Sequence, residues 1–277
     1  MTQKVKNDTF DNEKQQTAFV ATVKVIACII LLFALPITLF NPNISLGLFD
    51  FFRHDFFKTE IILAGKKYDT DGLVSSIKNK DLRLINLYVR SGFDLNKLDS
   101  NGNSPACIAA EFGNTQILSA LMQGSMNLFT MNKSDNMTPI FCSIKSDNVE
   151  MFNTLVKSGI SLNTKNDKVN GISLIHYASA LGKDEILSYI IEHGVDVNTL
   201  DMLDRSPLHL AAAQDKITVL YILLNSGAIV DVADKAGLTP IDIANKYGHK
   251  HYVEIMERYS AKNVKKDSLG LTQKEKQ

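Results

Sequence analysis

The strongest constraint on what this chain can fold into is a short signature that returns at nearly constant spacing. Four of its six prolines stand in similar settings: "NGNSPACIAA" at Pro105, "DNMTPIFCSI" at Pro139, "DRSPLHLAAA" at Pro207 and "AGLTPIDIAN" at Pro240. A fifth copy, "NGISLIHYAS", carries Leu174 where the proline would be. The hydroxyl residues just before these positions are Ser104, Thr138, Ser173, Ser206 and Thr239, separated by 34, 35, 33 and 33 residues. A second series ("VRSGFDLN", "LMQGSMNL", "VKSGISLN", "IEHGVDVN", "LNSGAIVD") runs in step with the first and contains Gly92, Gly124, Gly159, Gly194 and Gly227. Self-similarity at about 33 residues means a row of supersecondary units, none of which buries its apolar face alone.

Each part of the repeat has a local physical reading. The hydroxyl residue can cap a helix by accepting free N–H groups of the first turn. Proline at the first helical position loses no hydrogen bond and arrives with φ already set. Two residues before each hydroxyl lie Gly102, Asn136, Gly171, Asp204 and Gly237, types that tolerate positive φ in a tight turn. Small pairs such as Ala109-Ala110 and Ala211-Ala212 let the first helix lie close to its neighbours. A second helix follows with apolar spacing, as in Ile117, Leu118 and Leu121, or Val219, Leu220, Leu223 and Leu224. The glycine series is expected to supply a left-handed stop after it. The unit reads as turn, helix, helix, loop.

These motifs resemble the ankyrin repeat family, most clearly in "DRSPLHLAA" (Asp204 to Ala212), "HGVDVNTLD" (His193 to Asp201) and "GLTPIDIANKYGH" (Gly237 to His249). Copies one to five begin at about Asp99, Lys133, Lys168, Asp201 and Asp234, and a degenerate leading copy runs from Thr70 to Asn96. The resemblance implies an all-α ankyrin-repeat solenoid of about six helix-turn-helix units over residues 70–260. Copy two departs most from the pattern, with Phe141 and Cys142 in place of the usual His-Leu, and Asp147 in place of a turn glycine. His176 and His209 fall at the position where the family uses an imidazole to hydrogen-bond within the turns, which implies a structural role.

No other feature of the repeats points to catalysis or to a metal. His249 and His251 stand at i and i+2, which do not share a helical face. The three cysteines, Cys28, Cys107 and Cys142, form neither a disulfide framework nor a C-x-x-C pair. Cys107 and Cys142 are expected to be buried small apolar side chains. There is no nucleophile elbow, P-loop or dinucleotide fingerprint. A net charge of zero argues against nucleic-acid binding, and 45% apolar residues argue against global disorder. We therefore expect no cofactor, no metal, no nucleic acid, no small-molecule substrate and no enzyme activity.

The run "VIACIILLFALPITLF", Val25 to Phe40, carries no charge. At 1.5 Å per residue it spans about 24 Å, short of a hydrocarbon core of about 30 Å; extended back to Ala18 it reaches about 34 Å, with Lys24 able to snorkel. A lipoprotein box ending at Cys28 would need its apolar stretch in front of the cysteine, and here the long run follows it. Small residues suited to signal cleavage are weakly represented after the run. An uncut signal-anchor over 18–40 is the favoured reading, with a cleaved signal and a secreted protein as the alternative. Lys4, Lys6, Lys14 and Lys24 precede the run and only Arg53 and Lys58 follow closely. That bias places the N-terminus in the cytoplasm and the repeats on the periplasmic or extracellular side.

The other divisions are a polar tail over 1–17, a partly helical juxtamembrane linker over 41–69, and a Lys-rich tail over 261–277 expected to be disordered. Phe49, Phe52 and Phe56 fall on one helical face of the linker, suited either to a membrane interface or, in the favoured reading, to packing on the leading copy. Repeat arrays bind protein partners on a concave side through positions that packing does not fix. The candidates are Phe112, Leu181, Gln214 and Tyr247 at the ends of first helices, with Met137, Met202, Leu203 and Arg205 at turn tips. The expected function is a membrane-tethered interaction scaffold, with a regulatory subunit of a membrane enzyme or transporter as the alternative.

Overall fold

The computed structural model describes residues 54–261. The apolar run, Phe49, Phe52 and the Lys-rich tail lie outside the described residues, as does the expected span over 18–40. Among the described residues no helix is long and apolar enough to cross a membrane.

The expected helix pairs are present in every copy. First helices occupy Pro105–Phe112, Pro139–Lys145, Leu174–Leu181, Pro207–Ala213 and Pro240–Tyr247. Second helices occupy Thr115–Gln123, Val149–Lys157, Asp184–Glu192, Ile217–Asn225 and residues 250–261. The leading copy contributes Thr70–Lys78 and Leu82–Arg90. The described residues divide into two compact units, one of residues 54–101 and 116–127, the other of residues 102–115 and 128–261.

In the first unit, the helix Leu82–Arg90 buries Leu84, Ile85, Leu87 and Tyr88, one continuous stripe at helical spacing. Tyr88 is fully buried, stacks on Tyr68 at 5.9 Å and meets the edge of Phe93 at 5.2 Å, while its hydroxyl donates to the Lys67 carbonyl at 2.5 Å. Residues 54–63 are helical and pack on this leading copy. Ile61 is fully buried, the His54 ring lies 2.5 Å from the Ser91 carbonyl, and the Arg90 guanidinium lies 6.0 Å from the Phe57 ring centre.

In the second unit, the first helices pack side by side, with Ala109, Ala110, Ala178, Ala211 and Ala212 fully buried between them. One feature departs from a purely helical plan. The turn entering copy three is long enough to form a two-stranded antiparallel hairpin, Lys165–Asn166 against Ile172–Ser173, which accounts for the 35-residue spacing there.

The turn residues adopt the predicted conformation. Gly102, Asn136, Gly171, Asp204 and Gly237 all have φ between 55° and 78°. The glycine series needs one correction. Gly92, Gly159, Gly194 and Gly227 are left-handed, but in copy one Ser125 takes the left-handed slot at φ 63°, and Gly124 precedes it without positive φ. Gly124 is held to glycine by space: a Cβ there would stand 2.6 Å from Leu95 Cδ1 and 3.1 Å from Val89 Cγ1. Two opposite outcomes are expected in urea denaturation. Ser125→Gly removes the left-handed penalty of a residue with a Cβ and should raise stability by about 0.5 kcal/mol once the greater freedom of the unfolded glycine is subtracted. Gly124→Ala should lower it by about 1–3 kcal/mol through overpacking.

Candidate functional site

The residues that could meet a partner sit on a scaffold whose joints are hydrogen bonds between successive turns. In the second unit the Lys133 N–H donates to the Gly102 carbonyl at 2.8 Å, Met202 N–H to Asn170 at 2.8 Å, and Lys235 N–H to Leu203 at 3.0 Å. At the joint between copies two and three the Asn166 side-chain amide takes this part, donating to the Asn136 carbonyl at 2.8 Å.

Beneath the turns lies a row of side chains at the fourth place of each S/T-P-x-x signature. His176 receives the Ser173 hydroxyl on Nδ1 at 2.6 Å and donates from Nε2 to the Arg205 carbonyl of the next copy at 2.9 Å. His209 repeats the arrangement with Ser206 at 2.8 Å and the Leu238 carbonyl at 3.2 Å. A carbonyl can only accept, so the proton belongs on Nε2 and Nδ1 is the acceptor. The implied structural role is therefore what the geometry gives. It also revises the capping expectation. Ser173 spends its hydroxyl on the ring three residues on. Ser206 and His209 form a capping box in which the Ser206 N–H donates to His209 Nδ1 at 3.0 Å, and the Thr239 hydroxyl accepts the Asp242 N–H at 3.4 Å.

Copies one and two lack the imidazole. Cys107 fills the slot in copy one and directs Sγ at the Met137 carbonyl at 3.2 Å, while Phe141 in copy two meets Tyr177 edge-on at 5.5 Å. The hydroxyls of Ser104 and Thr138, left without a ring nitrogen three residues on, are buried without a hydrogen-bond partner.

The predicted contact residues divide into three groups. Phe112, Met202, Leu203 and Tyr247 are exposed, at 47%, 50%, 38% and 59%, as is Gln214, and Leu181 is half-buried. Met137 must be corrected: it is buried, packed into the turn where its carbonyl serves Cys107 and its N–H donates to Asp135 at 3.0 Å. Arg205 is half-buried and committed to its own turn, donating Nε and Nη2 to Asp201 Oδ2 at 2.8 and 2.7 Å. Burial alone would push the Asp201 carboxyl up, but the guanidinium and the N–H groups of Arg205 and Leu203 outweigh it and hold the pKa below the usual range.

Charges beside the helix ends are also paired from copy to copy. Lys145 bridges Glu111 at 3.4 Å and Asp135 at 3.7 Å, and Lys183 meets Asp147 at 3.4 Å. Exposed apolar side chains also occur where sequence reasoning did not look, in the segments crossing to the next turn: Phe129 at 62%, Leu200 at 39% and Ile229 at 48%. The signal was available for two of them, since Phe129 and Leu200 each follow by two residues the asparagine of this segment, Asn127 and Asn198. Among the described residues no group of three or more His, Cys, Asp or Glu is placed to hold a metal.

A family profile described as ankyrin repeats (3 copies) matches residues 73–166 and 175–267. Among curated proteins, alpha-latrocrustotoxin-Lt1a of Latrodectus tredecimguttatus is 32% identical over 123 residues, 44% of this chain and 8% of that protein. Synphilin-1 of Mus musculus is 28% identical over 168 residues, 57% of this chain and 17% of that protein. Neurogenic locus notch homolog protein 1 of Homo sapiens is 27% identical over 165 residues, 58% of this chain and 6% of that protein. The chain thus spans less than a fifth of these relatives.

The buried imidazoles lead to a pH prediction. Burial is the largest influence on both and lowers the pKa of His176 and His209 below the ordinary 6.5, against the raising effect of the carbonyl bonds. The unfolded chain then binds more protons than the folded one, so stability is full above about 6.5 and is lost as pH falls toward the folded-state values. Denaturation midpoints should fall on acidification, and less steeply in His176→Gln/His209→Gln. At neutral pH, Ser206→Ala should cost about 1 kcal/mol, whereas Ser104→Ala, which removes an unpaired buried hydroxyl, should be neutral or stabilising in the same assay.

Proposed function

The chain belongs to the ankyrin repeat family, and on that footing we propose that it is a membrane-tethered scaffold binding a protein partner through the exposed helix ends and turn tips of its second unit. The observation that carries the reading is the exposure of large apolar and aromatic side chains, Phe112, Met202, Leu203 and Tyr247, on repeats whose interior is otherwise closely packed. Side chains of this kind are those that contribute most when an interface forms. Polar Gln214 and half-buried Leu181 stand in the same register between Phe112 and Tyr247. The chain carries no formal net charge, so attraction by net charge contributes little. We assign no catalytic role, since both fully buried imidazoles are committed to a hydroxyl and a carbonyl.

The tether is the apolar segment over 18–40, with the N-terminus cytoplasmic and the repeats on the far side. Confinement to a membrane surface raises the effective concentration of the binding face there. The support is the length of the apolar run and the excess of lysines before it.

Binding is tested by capture from detergent extracts. Phe112→Ala/Tyr247→Ala should weaken recovery of a partner by at least about tenfold, equivalent to about 1.4 kcal/mol, without changing the far-UV circular dichroism. Undiminished recovery would remove this face from the binding site. Topology is tested separately with Lys235→Cys, an exposed position. Labelling by an impermeant thiol reagent in intact cells is the expected result, and labelling only after lysis would reverse the orientation.

A further inference from the structure

We propose that Cys107 and Cys142 form a reversible disulfide site that locks copy one to copy two. The two residues are far apart in sequence but stand on adjacent first helices, Pro105–Phe112 and Pro139–Lys145, which pack directly against each other. Both are fully buried. Their sulfurs converge on the same few atoms. Cys107 Sγ lies 3.2 Å from the Met137 carbonyl, which also accepts the Asn132 N–H at 3.0 Å, and the Asn132 side-chain amide reaches Cys142 Sγ at 3.8 Å. The neighbouring Cys107 thiol, and then burial, push the Cys142 pKa up.

The location gives the pair its significance. Cys107 occupies the slot in which copies three and four carry the bridging histidines, and the neighbouring Ser104 hydroxyl is left without a partner. A disulfide would supply by covalent linkage the connection that an imidazole makes elsewhere. The half-reaction is simple: each thiol loses one proton and one electron, and the sulfurs join. The electrons pass to a second disulfide, such as oxidised glutathione, which is reduced to two thiols by exchange through a mixed intermediate. Because both thiols are buried and the Cys142 thiolate is disfavoured, exchange is slow in the closed state and requires the joint to open. Once formed, the bond restricts the unfolded chain over about one repeat and stabilises the unit.

The test uses the full chain with Cys28→Ser, so that the only thiols are the pair. The protein is incubated in detergent with oxidised glutathione, with and without urea below the unfolding transition. Remaining thiols are then blocked and peptides are mapped by mass. The expected result is joint loss of both thiols, a Cys107–Cys142 cross-linked peptide without retained glutathione, faster formation in urea, and a melting temperature several degrees above the reduced form. Cys107→Ser and Cys142→Ser should each abolish the shift. Both cysteines remaining fully blockable after prolonged exposure in urea would overturn the proposal. So would stable glutathione adducts on either one, or a cross-linked protein that melts below the reduced one.

Discussion

Everything at the surface of the second unit depends on how one turn is tied to the next. At three joints a backbone N–H of one turn reaches a carbonyl of the turn before it, as Lys133 does to Gly102 and Lys235 to Leu203, and at the joint between copies two and three the Asn166 side-chain amide does so. These bonds determine where the turn tips stand, and the layer below determines how firmly. In copies three and four that layer is a neutral imidazole held between a hydroxyl and a carbonyl. A buried donor or acceptor left unmatched costs about 1–3 kcal/mol, so a histidine satisfied at both nitrogens favours one register over its alternatives. Copies one and two solve the same problem with different chemistry. Cys107 keeps the donor and loses the ring, whereas Phe141 keeps a ring and loses the donor.

How much of this was legible in the sequence follows from how local each feature is. The left-handed turn positions were readable because they depend on the backbone of one residue, and glycine, asparagine and aspartate mark them. The helix pairs were readable because Val219, Leu220, Leu223 and Leu224 present one stripe whatever the neighbours do. The Gly124-Ser125 pair was misread because glycine there answers to Leu95 and Val89, side chains in the preceding repeat. At Ser173 capping was misread because a ring three residues on takes the hydroxyl. The nearness of Cys107 and Cys142 depends on the pairing of two helices, which periodicity does not report.

The candidate surface was legible in the same unequal way. Phe112, Gln214 and Tyr247 stand at a helix end, a place left exposed in these copies and half-buried at Leu181. Met137 and Arg205 lie within turns, where exposure depends on what the side chain can reach. Met137 sits inside its turn. Arg205 turns back on Asp201, because a carboxylate with no exposed side-chain surface requires a cation beside it. Phe129, Leu200 and Ile229 escaped notice because crossing segments are usually polar and carry no strong pattern.

The bonds that join the copies at the turns and in the layer beneath them share one property: each links residues about one repeat apart, 28 for Ser104 to Asn132, 29 for His176 to Arg205 and for His209 to Leu238, and 30 for Cys107 to Met137. No such bond has to gather distant parts of the chain. The loop closed by each is of nearly constant length, so the entropy of closing it is nearly the same at every joint. Within the second unit, damage at one joint is therefore felt by the two copies that meet there and fades beyond them. A unit built this way can gain or lose a copy in the course of evolution without redesigning the others, and its binding face can be rewritten one residue at a time while the interior is left alone.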